Sequence, residues 1–215
     1  ALEVMPGGSS YLVWSDRATS PRLYFARFDP DSGVSARIPL TNAPTGSQLG
    51  VAAAVDTAGT LHVAWQAAIT GAIELHYQRR LRRQSPAPQD TVLDTAGYIL
   101  QNPSIACDDS GGVHLVYENW ATLSPVPAYR VWSPSHGWDC ASTDVPAVLG
   151  TNGILPIVLP KGPADVSVLY LRESGDDLQL VQRSRKLGDA PVIAAVPDLP
   201  PASDDAWRLA PNPLR

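Results

Sequence analysis

Short runs along the chain alternate apolar and polar residues and end on an aromatic at a regular interval. "YLVW" closes on Trp14, "LHVAW" on Trp65, "VHLVY" on Tyr117 and "VSVLY" on Tyr170. The intervals are about 51, 52 and 53 residues. Alternation with period two marks a half-buried strand. Self-similarity at a fixed period marks a repeat architecture. Gly8, Gly59 and Gly111 each lie six residues before an anchor, and Ala164 takes that place in the fourth copy. Glycine there fits a tight turn that needs positive φ.

Two further sets of anchors keep the same period. "LYFAR" (Leu23–Arg27), "LHYQR" (Leu75–Arg79), "PAYRV" (Pro127–Val131) and "LQLVQ" (Leu178–Gln182) are alternating strands. Turns follow, ending at Gly33, Gly137 and Gly188, with Ser85 in that place in the second copy. A last strand comes after each turn: "VSARIPL", "DTVLD", "WDCAST" and "PVIAAV". Preceding each aromatic-ended strand are "GVAAAVD", "PSIACDD" and "ILPIVLP". These apolar runs alternate little, which predicts a strand buried on both faces.

Each unit therefore reads as four strands, A to D. Four antiparallel strands per repeat of about 50 residues predict an all-β fold, a β-propeller with four blades in this chain. The blades fall at about 1–41, 42–94, 95–149 and 150–198. Residues 199–215 form a Pro-rich extension in which Trp207 is a natural anchor. It leads into a further strand, because "APNPLR" resembles the "LQNPS" that opens strand A of the third blade. Two arrangements stay open: the blades close on each other, or they are a window from a larger ring. Helical solenoids are excluded, since no segment holds a 3.6-residue period over ten residues.

Composition adds limits rather than a function. Net charge is −5, without the basic footprint of a nucleic-acid binder. No apolar run reaches the length of about 18 residues needed for a membrane span. The opening "ALEVMPGG" lacks the basic start and apolar stretch of a signal peptide, as in a processed chain or an internal fragment. The expected setting is extracellular or at the cell surface. The expected partners are other chains or further blades of the same chain, and a carbohydrate. No cofactor motif is present.

"PSIACDDSGGVHLVYENW", a strand, and then "SPSHGW" resemble the sialidase-like propellers, also called Asp-box or BNR-repeat proteins. That family carries S-x-D-x-G-x-x-W at the turn between the third and fourth strands of a blade. Ser133, Gly137 and Trp138 approximate it without the Asp, and "DPDSG" echoes it in the first blade. For a true sialidase the resemblance implies three arginines around a carboxylate, a Tyr–Glu nucleophile pair and an acidic proton donor. Arg37-Ile38-Pro39 matches the family's first-arginine tripeptide but falls in the fourth strand of the first blade, away from the family's position. The remaining catalytic set has no residue-by-residue match. The expectation is a non-enzymatic binding or assembly module. The alternative is a sialidase-type glycoside hydrolase whose catalytic residues lie in other blades.

In a propeller the B–C loops share one face with the segments that enter strand A. The residues just after the anchors are thus the ligand candidates: Asp16, Arg17, Gln66, Glu118, Asn119, Trp120, Arg172 and Glu173. A Trp stacks on sugar faces while polar groups fix orientation; ordinary solvated loops would also carry such residues. Glu118 and Glu173 would suit acid/base work on a glycoside only if held about 5–10 Å apart. Arg79, Arg80, Arg82 and Arg83 form a basic cluster, either an anion or partner patch or a solvated turn. His62 and His114 share one position of strand B in adjacent blades, too far apart to hold one metal, and alternation points to an inter-blade packing role. Asp56 and Asp108 sit where Asp caps its own turn. Cys107 and Cys140 are the one pair available for a disulfide. Two strands separate them, about 14 Å, against the roughly 7 Å limit for a bridge.

Overall fold

A computed structural model of the chain describes residues 1–5, 8–16, 22–40, 47–69, 71–81, 91–96, 99–120, 125–138, 147–148, 153–162, 165–174 and 177–186. Four antiparallel sheets form among these residues, in chain order. The first holds β1 (Leu2–Val4), β2 (Ser10–Asp16), β3 (Arg22–Asp29), β4 (Gly33–Val34) and β5 (Ile38–Pro39). The second holds β6 (Ser47–Val55), β7 (Leu61–Ile69), β8 (Ala72–Arg80) and β9 (Thr91–Ala96). The third holds β10 (Leu100–Cys107), β11 (Val113–Asn119), β12 (Val126–Ser133), β13 (Gly137–Trp138) and β14 (Ala147–Val148). The fourth holds β15 (Gly153–Pro160), β16 (Asp165–Ser174) and β17 (Asp177–Lys186). Strand D of the fourth blade and the Pro-rich extension lie outside the described residues. In the first and third blades strand D is split into two short pairings with strand C.

The glycines do what the turns require. Gly8, Gly59 and Gly111 at the A–B turns, and Gly33 and Gly137 at the C–D turns, all have φ between 73° and 83°.

Because the pleat has period two, each sheet has two faces, here named by their neighbours. The leading face carries the aromatic anchor and the trailing face carries the residues between. Tyr11, Val13, Leu23 and Phe25 on the trailing face of the first blade pack against Leu61, Val63 and Trp65 on the leading face of the second. Ala64, Leu75 and Tyr77 meet Leu115 and Tyr117 in the same way. Val116 and Tyr129 meet Val158, Val168 and Tyr170. Trp65, Tyr117 and Tyr170 are therefore buried to within 1% of their surface. Trp14, the same position in the first blade, is only half-buried, because no blade among the described residues covers its face.

The strand expected to be buried on both faces is B, not A. Every residue of β11 is buried, whereas β10 is mostly half-buried and β15 alternates buried with exposed positions. Strand B lies between A and C and between two blades. Strand A is the first strand of its sheet and has a sheet neighbour on one side only.

Gly153 enters the fourth blade where the rings of Pro127 and Tyr170 leave no room. A Cβ there would lie 2.5 Å from Pro127 Cγ and 2.7 Å from Tyr170 Cδ2. Gly153→Ala is expected to destabilise the chain by about 1–3 kcal/mol through overpacking. Urea unfolding would measure it, with Gly71→Ala, where nothing lies within 4 Å of the new Cβ, showing the cost of positive φ alone.

Candidate functional site

The B–C end of the third blade is built around one carboxylate. Glu118 is 1% exposed and accepts four hydrogen bonds. Gln101 Nε2 (2.7 Å) and Trp120 Nε1 (3.0 Å) donate to one oxygen. Asn102 Nδ2 (2.7 Å) and the Leu155 amide (2.6 Å) donate to the other. A carboxylate has about four lone-pair sites, so this one is saturated. Leu155 belongs to the next blade, and Glu118 therefore ties the third blade to the fourth.

Two of these partners sit on bulges. Gly50, Asn102 and Leu155 have φ of 54°, 50° and 50°. Each falls where the pairing of strand A with strand B shifts register. The same irregularity recurs in three blades at the repeat's own period. Left-handed backbone is costly for leucine. Glu118, by accepting the Leu155 amide, helps hold it. At Leu155 the kink aims the backbone N–H at Glu118, the residue after the aromatic anchor of the preceding blade. The signal in the sequence was Asn102-Pro103 and Leu155-Pro156, since a residue before proline is steered away from the right-handed helical region.

The sequence places eight candidates around this end, and the structure sorts them. Gln66, Glu118 and Asn119 are buried rather than presented to solvent. Trp120 is half-buried, with its indole N–H given to Glu118. Asp16 lies 3.4 Å from Arg37, whose guanidinium sits 4.9 Å over the Tyr24 ring. Tyr24 in turn stacks on Trp14 at 6.0 Å. Arg37 of the Arg-Ile-Pro tripeptide is thus exposed on the leading face of the first blade. Arg172 donates to Gln179 Oε1 (2.9 Å) across its own hairpin. Arg17 and the side chain of Glu173 lie outside the described residues.

The basic cluster divides in the same way. Arg79 lies 5.2 Å over Trp132 of the third blade, and Arg80 lies 4.8 Å over Phe25 of the first. Consecutive side chains of a strand point to opposite faces, so two neighbours in sequence serve two different seams. Arg82 and Arg83 are outside the described residues, as is Cys140. Cys107 is a half-buried free thiol. Burial, with the Asp56, Asp108 and Glu3 carboxylates adding to it, pushes its pKa up to about 12. No group of three or more metal-ligating side chains converges among the described residues.

The two strand-B histidines head a repeated buried triad. His62 Nδ1 is 2.7 Å from Tyr77 Oη and Nε2 is 3.3 Å from Asp56. His114 repeats this with Tyr129 (2.7 Å) and Asp108 (3.0 Å). Burial pushes the His62 ring below its ordinary pKa, against the pull of Asp56. Burial pushes Asp56 up, but the Thr60 amide and His62 outweigh it and leave the carboxyl below its usual range. Asp108 is likewise lowered: Ser110, His114 and the Gly112 amide outweigh its burial. A neutral imidazole beside a carboxylate must place its proton on Nε2, so the tyrosine hydroxyl donates to Nδ1. The first and fourth blades put Tyr11–Phe25 and Ser167–Gln182 in these places. The triad therefore belongs to the inter-blade seam, the role that alternation predicted for the histidines. Its tyrosines were legible as the shared third letter of "LHYQR" and "PAYRV".

No protein-family model matches the sequence, and no curated protein matches it. Solved structures do. A Hadza microbial sialidase superposes with TM-score 0.64 at 10% identity, over 86% of this chain and 45% of its own. The endo-arabinase from Bacteroides thetaiotaomicron VPI-5482 superposes with TM-score 0.52 at 16% identity, over 85% of this chain and 72% of its own. The fold is a β-propeller, shared with these two glycoside hydrolases. The chain spans less than half the length of the sialidase it matches.

Replacing Glu118 with Gln turns one acceptor oxygen into an N–H that faces donors. A loss of about 2–3 kcal/mol is expected, read as a shift of the urea midpoint. His62 adds a pH dependence. Its folded pKa lies below the unfolded value of about 6.5, so its contribution is full above that pH. It is lost as pH falls through the folded value, at up to about 1.4 kcal/mol per pH unit. Unfolding free energies measured from pH 7 to 5 should fall less steeply in His62→Gln than in the parent chain.

Proposed function

We propose that this chain is one arc of a larger propeller ring and works as a binding or assembly module rather than as a catalyst. The observation that carries the reading is the pair of exposed apolar faces that the described residues present at the two ends of the arc. On the leading face of the first blade Leu2, Val4, Leu12, Phe28 and Val34 are 45–71% exposed. The trailing face of the fourth blade exposes Ile157, Leu159 and Leu178 by 44–53%. Contiguous exposed apolar surface of this kind marks an interface.

The occupant follows from the chemistry inside the arc. Each internal seam joins a trailing face to a leading face. The first blade offers an unfilled leading face and the fourth an unfilled trailing face. The fitting partner for each is another blade of the same design. The share of the sialidase's length left unmatched leaves room for such blades. A non-catalytic role is supported by Glu118, the central carboxylate of the B–C end, which is spent on four internal hydrogen bonds and is turned away from solvent.

One observation favours a second reading. Both neighbours are named as enzymes that act on glycans, a sialidase and an endo-arabinase. A hydrolase of that type could draw its catalytic groups from blades beyond this arc, with this half supplying carbohydrate contacts at Asp16, Arg37 and Trp120.

The ring reading is tested by sedimentation of the 215-residue chain. Concentration-dependent association is expected, and Leu12→Glu with Leu159→Glu should abolish it while leaving the melting temperature unchanged. A monomer that Leu12→Glu destabilises by several degrees would mean that the four blades close on each other, and the proposal would fail.

A further inference from the structure

At the seam of the first two blades lies a cleft of ≈ 230 Å³. It sits at the A–B and C–D turn end of the sheets, opposite to the end that holds Glu118. Tyr11, Phe25, Ile38 and Leu61 give it apolar walls, and Arg27 and Arg80 line it as well. Its described lining residues all belong to the first two blades, so it does not depend on how the ring is closed.

The two arginines are unequal. Arg27 gives its NH2 group to Asp29 Oδ2 (2.8 Å) and Ser9 Oγ (3.2 Å), but its buried Nε has no partner. Arg80 stacks over Phe25 and has no carboxylate partner among the described residues. Its NH1 is buried without a hydrogen bond. Burial pushes the Arg80 guanidinium below its ordinary value, yet arginine stays protonated in proteins. Among the described residues the lining carries two guanidinium cations, and the Asp29 carboxylate behind Arg27 offsets one of them, which leaves one positive charge in excess. Buried unmatched N–H groups are costly. The guanidinium fork of a lining arginine matches a carboxylate better than any neutral group.

We infer that this cleft is a binding site for a small monocarboxylate with an apolar body, its carboxylate held by Arg80 with Arg27 and its body laid against Phe25, Ile38 and Leu61. The volume admits on the order of ten non-hydrogen atoms at roughly 20–30 Å³ each. A single excess charge selects a monoanion over a dianion. The apolar walls select against a bare inorganic ion, which would gain nothing from them.

The test uses benzoate and its neutral isostere benzamide, titrated into the 215-residue chain by calorimetry or by ¹⁵N chemical-shift mapping. Benzoate is expected to bind saturably, with benzamide at least about tenfold weaker. Arg80→Met should weaken benzoate by about tenfold or more, while Arg79→Met, on the opposite face of the same strand, leaves it unchanged. Ile38→Trp keeps both arginines and fills the cleft; it should abolish binding in a chain whose circular dichroism is that of the parent. This second variant also decides the matter if Arg80→Met fails to fold. Equal binding of benzamide, unchanged affinity in either cleft variant, or no saturable benzoate binding would each overturn the assignment.

Discussion

Each sheet in this chain is apolar on both faces, and a small twisted sheet of that kind cannot stand alone in water. It must be covered twice. The blade-to-blade seam is the result, with a trailing face laid on the next leading face. Burying one large side chain contributes about 1.5–3 kcal/mol, and Trp65, Tyr117 and Tyr170 each lie at the centre of such a seam. Trp14 occupies the same place without a covering blade among the described residues and stays half-exposed. One aromatic position thus reports, blade by blade, whether the covering is complete.

The dryness of the seams dictates their polar chemistry. Anything polar carried into them must find its partner there, because water cannot supply one. The Asp–His–Tyr triads meet this demand by setting each imidazole between a carboxylate and a tyrosine hydroxyl. Asp108 does double duty, capping its own turn through Ser110 and Gly112 with one oxygen and holding His114 with the other. Glu118 meets the same demand at the opposite end of the blade, by gathering two side-chain amides, an indole N–H and a backbone amide of the next blade. These groups look reactive in a sequence, and in the fold they are structural because their hydrogen bonds are made inside the chain.

The same arrangement gives the two ends of each blade different characters. At the B–C end the donors and acceptors of the third blade satisfy one another. At the turn end of the first seam two guanidinium groups keep unmatched N–H bonds beside an apolar wall. Likeness to glycoside hydrolases rests on the shared blade plan, and a blade plan by itself sets no chemistry. What distinguishes one propeller from another is which polar groups are left unsatisfied once the seams are packed.

The period of the aromatic anchors, the positive-φ glycines and the strand order were all legible in the sequence, because turn geometry and pleat alternation are local constraints carried by neighbouring residues. So was the pairing of His62 with His114 as equivalent positions. The burial of strand B rather than strand A, the saturation of Glu118, the bulge at Leu155 and the parting of Arg79 from Arg80 onto two seams were not. Each depends on which blade face lies across the gap. That is a relation between residues about 50 positions apart, and only the tertiary structure brings them within a hydrogen bond of one another.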